Sequence, residues 1–167
     1  EQMNVIEPGQ TKTFGDLDVT AFATSHDAAE PQYYVFTSGG KRAAFLTDTG
    51  YVSETVEGTI EDADAYMMEF NYDTMMLRDG PYSWSLKQRI LSDVGHLSNE
   101  DAAQALVDVV TPKTKHIFLA HRSQHNNTEY LARETAKEML IDGEANINSD
   151  LKIIDTEPNH PTKLIEI

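Results

Sequence analysis

The stretch Phe45-Leu46-Thr47-Asp48-Thr49-Gly50 is the best guide to the fold. An apolar and β-branched run leads into an aspartate followed by Thr and Gly, which predicts a buried strand ending just before Asp48. Sheets of α/β proteins carry their chemistry at the carboxyl ends of strands, so Asp48 is a candidate functional residue. The alternative is that Asp48 caps the next turn through its own carboxylate, as Asp before Thr-Gly commonly does.

The residues before this stretch predict two more strands. Residues 18–25 alternate as a strand does, and His26 follows them at once. Residues 33–37 lead through a Gly-Gly turn into residues 42–47, which is typical of a β-hairpin. Three strands joined as one antiparallel unit would bring His26 and Asp48 to the same end of the sheet.

Helices and strands alternate in the second half of the chain. Helices are predicted at residues 51–57 (ending at Gly58), 74–78, 83–92, 102–110 and 128–142 (stopped by Gly143), and strands at residues 63–69, 116–120, 151–154 and, as an edge strand, 163–167. Ser98 or Asn99 is expected to cap the fourth helix. The predicted fold class is α/β, a mixed sheet with flanking helices, in a single domain spanning residues 1–167.

Some apolar side chains are assigned to the core. In the helix at residues 83–92 these are Trp84, Leu86, Ile90 and Leu91. Met67, Met68, Met75 and Met76 are interpreted as core filler rather than as a binding surface.

Composition limits the classes of partner. With 13 basic and 28 acidic residues the formal charge is -15, which repels nucleic acid at long range and excludes a basic binding groove. The charge suits a protein that concentrates divalent cations, although acidic surfaces also serve solubility alone. The absence of Cys excludes disulfides and Cys-built zinc sites and favours a cytoplasmic location. No run is long and apolar enough to predict a membrane span.

Three predicted strand ends carry His26, Asp48 and His121. Two imidazoles and a carboxylate are suitable ligands for Zn²⁺, Mn²⁺ or Fe²⁺. The alternative is that each residue is an ordinary hydrogen-bonding loop residue, because the spacing contains no dense metal signature. Three ligands are also few for the two-metal site that phosphoester hydrolysis often uses.

Five blocks of the sequence resemble, in family order, the metallo-β-lactamase-fold hydrolases of the YycJ (also VicX or WalJ) type. The resemblance covers residues 15–136. The blocks are Thr24-Ser25-His26-Asp27-Ala28-Ala29, Phe45-Leu46-Thr47-Asp48-Thr49-Gly50, Trp84-Ser85-Leu86-Lys87-Gln88-Arg89-Ile90, Gly95-His96-Leu97-Ser98-Asn99 and Leu119-Ala120-His121.

The resemblance implies roles for particular residues. His26 and His121 would be metal ligands, and Asp48 would bridge two divalent ions, either Zn²⁺ or Mn²⁺. His96 would be a general acid, by similarity to the related transfer-RNA-processing nucleases. The residues expected to contact the substrate are the polar loop residues Asn71, Ser98, Asn99 and Ser123.

Two departures from the family pattern stand out. The chain lacks the family's earlier His-x-His-x-Asp-His motif, so we interpret it as the carboxy-terminal portion, the later half of an αββα sandwich. Tyr72 stands where relatives tend to carry a histidine, which weakens a substrate role for its loop.

Two hypotheses about function follow. The first is a metal-dependent phosphodiesterase, resembling a DNA 5′-exonuclease, that is active in the full-length protein and inactive in this chain alone because ligands are missing. The second is a non-catalytic folded module that docks onto a partner, for instance a homodimer in which a second copy buries an exposed apolar sheet face.

Overall fold

The computed structural model describes residues 4–167, in which seven strands form one sheet. The elements are, in chain order, β1 (Thr11–Phe14), β2 (Leu17–Ala23), β3 (Gln32–Ser38), β4 (Lys41–Leu46), α1 (Glu54–Ile60), β5 (Ala65–Glu69), α2 (Thr74–Asp79), α3 (Trp84–Ile90), α4 (Asn99–Val109), β6 (His116–Ala120), α5 (Glu129–Asp142) and β7 (Lys152–Asp155). The strands stand in sequence order, antiparallel from β1 to β4 and parallel from β4 to β7. The predicted mixed α/β sheet with flanking helices is therefore confirmed.

The predicted hairpin is the β3–β4 pair. Ser38 pairs with Lys41, and the two residues between them are Gly39 and Gly40, with φ values of 57° and 78°. Positive φ at both central positions is the backbone of the two-residue turn whose twist matches that of paired strands. Glycine adopts it without the steric penalty of a Cβ, so the local sequence sets the register of the hairpin.

The parallel strands bring the site residues together. In the register of the sheet, Leu46 of β4 lies beside Met68 of β5, and Glu69 of β5 lies beside Ala120 of β6. Three neighbouring strands thus end at the same edge of the sheet. The loops that carry Asp48 and His121 leave from this edge, as expected for the carboxyl ends of parallel strands.

The two faces of the sheet have different surroundings. Leu46, Met68 and Leu119 belong to a buried core cluster that includes Leu106 of α4 and Ala136 of α5. Successive side chains of a strand alternate between the two faces of a sheet. The residues next to Leu46, Met68 and Leu119 along their strands therefore point to the other face. There Phe45 is 38% exposed, and it shares a groove with other apolar side chains and the carboxy-terminal tail.

Helix α1 begins and ends later than predicted. Ser53 caps its amino terminus by accepting a hydrogen bond from the backbone N–H of Val56 (3.4 Å). Gly58, which was expected to end the helix, lies inside it, and the helix continues to Ile60. Ile60 is fully buried, so packing of the last turn outweighs the poor helix propensity of glycine.

Some predicted core residues lie at the surface. Trp84 is 66% exposed and Leu91 is 40% exposed, which makes their assignment to the core wrong. The helix is only seven residues long, and the turn of it that faces inward carries Leu86 and Ile90. Met75, interpreted as core filler, is 61% exposed, whereas Met68 is buried as predicted.

The two ends of the sheet also differ from expectation. The edge strand predicted at residues 163–167 is not formed; this segment lines the groove beside Phe45 and Met67 instead of extending the sheet. The edge beyond β2 is occupied by β1, which the sequence patterns did not predict. In residues 163–167, apolar contact with the open face of the sheet competes with strand pairing. The alternation of apolar and polar residues along the segment does not reveal that competition.

Candidate metal centre

Asp48 follows β4, and its carboxylate is partly exposed at the sheet edge. Its backbone has a φ of 57°, and its carbonyl oxygen accepts a hydrogen bond from Oγ1 of Thr24 (3.1 Å). The alternative role of Asp48 as a cap is not what the structure shows. Ser53 caps the next helix, and within residues 4–167 no backbone N–H donates to the Asp48 carboxylate. The carboxylate is therefore free for a ligand.

His26 lies beside Asp48, as predicted. Its Nδ1 donates to the carbonyl oxygen of Gly95 (2.9 Å), which leaves Nε2 as the nitrogen with a lone pair. That Nε2 lies 3.8 Å from Oδ1 of Asp48. A hydrogen bond from the far ring nitrogen to a carbonyl is the usual way in which proteins fix the tautomer of a metal-ligating histidine.

His121 reaches the same carboxylate from the end of β6. Its Nε2 lies 3.6 Å from Oδ1 of Asp48. Like Asp48, it adopts a positive φ (52°), although it is not glycine. Non-glycine residues in this region of backbone space carry a conformational cost and are common at functional sites. The side-chain amide of Asn71 donates to the carbonyl oxygen of His121 (2.9 Å) and supports this conformation.

His96 enters from the loop between α3 and α4. Its ring centre is 5.0 Å from that of His26 and 5.2 Å from that of His121. The preceding residue must be glycine, because a Cβ on Gly95 would lie 2.2 Å from the carbonyl oxygen of Ile90. The close approach of this loop to the end of α3 is thus what positions His96.

Glu69 is a candidate site residue that the sequence patterns did not indicate. It is the last residue of β5 and is fully buried. Its Oε1 accepts from Nδ1 of His96 (2.6 Å) and from Nδ1 of His121 (2.8 Å), and its Oε2 accepts from the backbone N–H of Thr49 (3.0 Å). The signal available in the sequence was an acidic residue at the end of a predicted strand. That strand lies in the sheet between the two strands that lead to Asp48 and His121.

Opposing effects act on the charge of this group. Burial raises the pKa of Glu69, but the hydrogen bonds from His121, His96 and the Thr49 backbone outweigh it and hold the pKa below its usual value. In turn the Glu69 carboxylate raises the pKa of His121. Glu69 is therefore a buried anion stabilised by imidazole donors rather than a protonated acid.

The donor set fits a divalent metal ion. Separations of 3.6–3.8 Å between Oδ1 of Asp48 and the Nε2 atoms of His26 and His121 are too long for hydrogen bonds. They are near the roughly 3.4 Å edges of a tetrahedron with metal–nitrogen bonds of about 2.1 Å. Imidazole and carboxylate ligands without thiolate suit Zn²⁺, Mn²⁺ or Fe²⁺.

The donors form two groups rather than one. The ligand atoms of His26, Asp48 and His96 all lie within 4.8 Å of one another, and so do those of Glu69, His96 and His121. The predicted trio of His26, Asp48 and His121 is therefore split between them, with the Asp48 carboxylate within 4.0 Å of a nitrogen on all three histidines. His96 belongs to both groups, which the sequence did not indicate.

A cleft of about 890 Å³ opens beside the histidines. Such a volume is within the range of ligand pockets. Predicted substrate residues Asn71 and Ser123 lie on its wall together with His96 and His121. The remaining wall is formed by Tyr82, Leu86, Arg89, Ile90, Arg122, Gln124, Asn127, Glu129, Thr156, Glu157, Pro158 and Asn159.

Ser98 and Asn99 are not brought to this cleft. Oγ of Ser98 accepts from the backbone N–H of Asp101 (3.0 Å) and caps α4. The fully buried side chain of Asn99 exchanges hydrogen bonds with that of Asn127 (3.1 and 2.7 Å). Both side chains make their hydrogen bonds inside the fold. The structure therefore does not support the expectation that they contact the substrate. Tyr72 is buried in a small apolar cluster and does not line the cleft.

A family model matches the first part of the chain. Residues 1–121 match the model described as "Beta-lactamase superfamily domain". This range includes all five of the clustered residues, His26, Asp48, Glu69, His96 and, as its last residue, His121.

Two curated relatives align over nearly the whole chain. Exodeoxyribonuclease YycJ of Bacillus anthracis is 48% identical over 164 residues, which is 98% of this chain and 62% of the relative. Exodeoxyribonuclease WalJ of Streptococcus pneumoniae serotype 2 (strain D39) is 48% identical over 166 residues, 99% of this chain and 62% of the relative. The chain thus spans less than two thirds of the length of these proteins.

Solved structures share the fold at low sequence identity. The metallo-beta-lactamase fold protein YhfI of Bacillus subtilis superposes with a TM-score of 0.65 at 17% identity, over 91% of this chain and 52% of that protein. Zn²⁺-bound PqqB of Methylobacterium extorquens gives a TM-score of 0.56 at 17% identity, over 90% of this chain and 49% of that protein. Among residues 4–167, no helix is both long and apolar enough to cross a bilayer.

Proposed function

The chain belongs to the beta-lactamase superfamily domain family, and on that premise we propose that it carries part of the metal centre of a phosphodiesterase, a deoxyribonuclease in the full-length protein. One observation carries the proposal. Three imidazoles and two carboxylates from five separate segments converge at the carboxyl edge of β4, β5 and β6. The names of the YycJ and WalJ relatives support DNA as the substrate.

The metal ligands of this chain are proposed to be His26, Asp48 and His121. In the full-length protein they would hold two divalent ions, Zn²⁺ or Mn²⁺, with Asp48 as the bridging carboxylate and further ligands from outside this chain. Such ions supply a nucleophilic water at neutral pH and stabilise charge on phosphoryl oxygens.

His96 is proposed as the general acid. It lines the cleft, and its Nδ1 is held by the buried carboxylate of Glu69. A carboxylate on one ring nitrogen fixes the tautomer and the orientation of the ring. In the protonated ring, the other nitrogen, Nε2, also carries a hydrogen, and this is the proton that His96 would give to the leaving oxygen of the cleaved strand. Asn71 and Ser123 are the substrate-contacting residues that this proposal retains.

The test of the general acid uses two substrates with different leaving groups. In the Mn²⁺-loaded full-length protein, His96→Ala is expected to lower kcat on DNA by about 10²–10⁴-fold. The loss should be much smaller on bis(p-nitrophenyl) phosphate, because p-nitrophenolate leaves without protonation. Bound metal is measured in parallel. A loss of metal with equal losses on both substrates would show instead that His96 is a ligand.

The phosphodiesterase proposal itself has a simpler test. Fully metal-loaded full-length protein is expected to hydrolyse DNA, and the chain of 167 residues alone is expected not to, because ligands are missing. Absence of turnover by the loaded full-length protein contradicts the proposal. Residues 1–167 are proposed to form one domain, supported by the single seven-stranded sheet, and a cytoplasmic location stays a prediction from the absence of Cys.

A docking role is the second candidate. The sheet face opposite α4 and α5 presents Phe45, 38% exposed, beside Met67 and Phe118. Apolar sheet faces are normally covered in a folded protein. If a second copy covers this face, sedimentation equilibrium of the chain should show a dimer that Phe45→Glu dissociates. A wild-type chain that stays monomeric at high concentration contradicts the homodimer.

A further inference from the structure

Helix α3 brings a basic side chain to the edge of the metal centre. Four of the five sequence blocks that resemble the family supply a histidine or an aspartate to the clustered donors, and the fifth, residues 84–90, supplies none. Arg89, in the last turn of α3, is the charged residue of this fifth block that lines the cleft. Its side chain is 52% exposed. The block therefore contributes a guanidinium group beside the histidines.

The guanidinium of Arg89 is held by Asp27, the residue that follows His26. Nη2 donates to Oδ1 of Asp27 (2.7 Å), and Nε donates to Oδ2. Two parallel bonds of this kind fix the plane of a guanidinium as well as its position. The same Oδ1 lies 3.7 Å from Nε2 of His26. One carboxylate oxygen thus separates the guanidinium from a nitrogen that is proposed to bind metal.

The backbone of Arg89 is also fixed. Its carbonyl oxygen accepts a hydrogen bond from Oγ of Ser92 (2.8 Å), and a Cβ on Gly95 would lie 2.3 Å from it. The end of α3 therefore packs closely on the loop that leads to His96. A side chain that is held at its backbone and at its tip loses little conformational freedom when it binds a ligand.

The pairing with Asp27 leaves donors of the guanidinium available. A guanidinium has five N–H groups, and Asp27 accepts from one on Nε and one on Nη2. Within residues 4–167, Nη1 of Arg89 donates to no side chain or carbonyl group. The planar arrangement of these N–H groups matches the oxygens of a phosphate. Asp27 therefore orients Arg89 without using all of its donors.

Arg122, the other arginine that lines the cleft, is less available. Its side chain is only 13% exposed, and its Nη2 donates to the Glu129 carboxylate and to the Thr156 carbonyl oxygen, both at 3.3 Å. No lysine is found among the described residues that line the cleft. In a chain with a formal charge of -15, a phosphate near the metal centre has few cationic partners. Arg89 is the exposed one.

We propose that Arg89, oriented by Asp27, binds the substrate at a phosphate next to the scissile one. The metal ions would hold the scissile phosphoryl group, and Arg89 lies one carboxylate away from their ligand His26. Asp27 is then a positioning residue, because it acts on the substrate through the guanidinium. This inference rests on the proposed phosphodiesterase function and adds a residue that binds the flanking part of the substrate.

The test compares a substrate that has a neighbouring phosphate with one that lacks it. In the Mn²⁺-loaded full-length protein, Arg89→Ala is expected to raise KM for DNA by about 10–100-fold, the usual cost of losing hydrogen bonds to a charged group. On bis(p-nitrophenyl) phosphate, which has a single phosphate, kcat/KM should stay within about twofold of wild type. Arg89→Lys should recover only part of the loss on DNA, because an ammonium cannot make the planar pairs.

Changing the substrate tests the same contact from the other side. A single uncharged methylphosphonate replaces, in turn, each phosphate beside the scissile one. At one of these positions we expect KM of the wild-type protein to rise about tenfold and KM of Arg89→Ala to stay unchanged, because the two changes remove the same contact. Equal sensitivity of wild type and Arg89→Ala at every position overturns the proposal.

Asp27→Asn tests the positioning role. The amide keeps the shape of the side chain but can no longer accept through both oxygens, so we expect KM for DNA to rise severalfold while kcat changes little. Adding Asp27→Asn to Arg89→Ala should cost nothing further on DNA. A further loss in the double variant would show that Asp27 acts on the site without Arg89, and would overturn the positioning role.

Two controls separate phosphate binding from other causes. Arg78→Ala removes the same charge from an exposed arginine at the end of α2 that does not line the cleft, and it should leave KM unchanged. Bound metal and the thermal midpoint are measured for every variant. An equal loss in Arg78→Ala, or loss of metal with equal losses on both substrates in folded Arg89→Ala, overturns the phosphate contact.

Failure of this inference differs from failure of the proposed function. If wild type cleaves both substrates and Arg89→Ala cleaves DNA equally well, the contact is wrong and the phosphodiesterase stands. If the loaded wild type cleaves neither substrate, the proposed function is wrong. Anisotropy with a hydrolysis-resistant phosphorothioate oligonucleotide still tests the contact in that case, and Arg89→Ala should weaken binding by at least about tenfold.

Discussion

A single buried carboxylate organises the histidines of the site. Glu69 contacts both His96 and His121 through one oxygen and ties the loop after β4 to β5 through the other. A fully buried anion is costly unless it is hydrogen-bonded, and here three donors satisfy it. We therefore expect Glu69 to be a positioning residue, which would act on the proposed reaction through the imidazoles that it orients.

Replacing Glu69 tests that role. Glu69→Gln keeps the shape of the side chain but removes its charge, so His96 and His121 lose their common anionic partner. We expect affinity for the divalent ion and kcat on DNA to fall by about 10–100-fold, the usual cost of losing such a partner. Metal titration and steady-state kinetics of the full-length protein measure both. The matched control, Glu138→Gln on the exposed face of α5, removes the same charge and should change neither quantity.

Asp64 is a second buried carboxylate, at the opposite end of β5. It accepts hydrogen bonds from the backbone N–H of Arg42 (2.9 Å) and from Nζ of Lys41 (3.0 Å), and Nζ of Lys113 is 3.4 Å away. Burial raises the pKa of Asp64. The hydrogen bonds and charges of these partners outweigh that effect and hold the pKa below its usual value of 3.8. Asp64 is therefore structural, and it stabilises the fold in its ionised form.

The effect of Asp64 on stability should depend on pH. Because its pKa is lower in the folded state, its stabilisation is present above pH 3.8 and is lost as the pH falls through the folded-state value. Asp64→Ala should lower the free energy of unfolding by about 1–3 kcal/mol near neutral pH, since it leaves the Arg42 N–H unpaired. Urea unfolding of the chain at several pH values measures this. A wild-type-to-variant difference that does not shrink in acid would contradict the assignment.

At the scale of elements, tight loops at the sheet edge hold the site. Gly50 and Gly95 both approach other backbone so closely that a Cβ would lie 2.2 Å from it. The N–H of Gly50 donates to the carbonyl oxygen of Ser25 (2.8 Å), and the carbonyl oxygen of Gly95 accepts from His26. The loops carrying His26, Asp48 and His96 are thus connected through the backbone groups of these two glycines, one of which bonds the His26 side chain.

Two glycine substitutions should have opposite effects. Gly95→Ala forces the backbone at the end of α3 apart, so we expect a loss of roughly 1–3 kcal/mol in the free energy of unfolding, typical of overpacking. Weaker metal binding should accompany it. Gly58→Ala lies inside α1 with nothing within 4 Å of the new Cβ, and should stabilise by about 0.5–1 kcal/mol. Chemical denaturation of both variants measures the contrast. Equal effects would mean that the close approach at Gly95 is not what holds the loop.

At the scale of the whole molecule, the net charge of -15 opposes a DNA substrate. If DNA is the substrate, as proposed, we expect these residues to bind it through the metal centre and a few local contacts rather than through many phosphate contacts. A protein that makes 6–10 phosphate contacts loses about 10³–10⁵-fold in affinity between 50 and 200 mM salt.

We therefore expect a shallow salt dependence. Over that range of salt, the affinity of the loaded full-length protein for single-stranded DNA should change by less than about tenfold. Anisotropy titrations at several potassium chloride concentrations and fixed Mn²⁺ measure the slope. A steep decrease would show that segments outside this chain provide the basic surface that these residues lack.

The sequence by itself determined the order of most elements and the hairpin register, and it indicated His26, Asp48 and His121 as candidate site residues, which the structure brings together. These depend on local signals: alternation along strands, paired turn glycines, and polar residues directly after apolar runs. The roles proposed for these residues, and the choice of His96, came from the family resemblance.

Only the tertiary structure decided that Glu69 joins two histidines, that Ser98 and Asn99 face the interior, and that Trp84 faces solvent. The physical reason is that burial and pairing of a side chain depend on which distant segment packs against it. Glu69 and His121 are 52 residues apart along the chain, and only the parallel pairing of β5 with β6 brings them together.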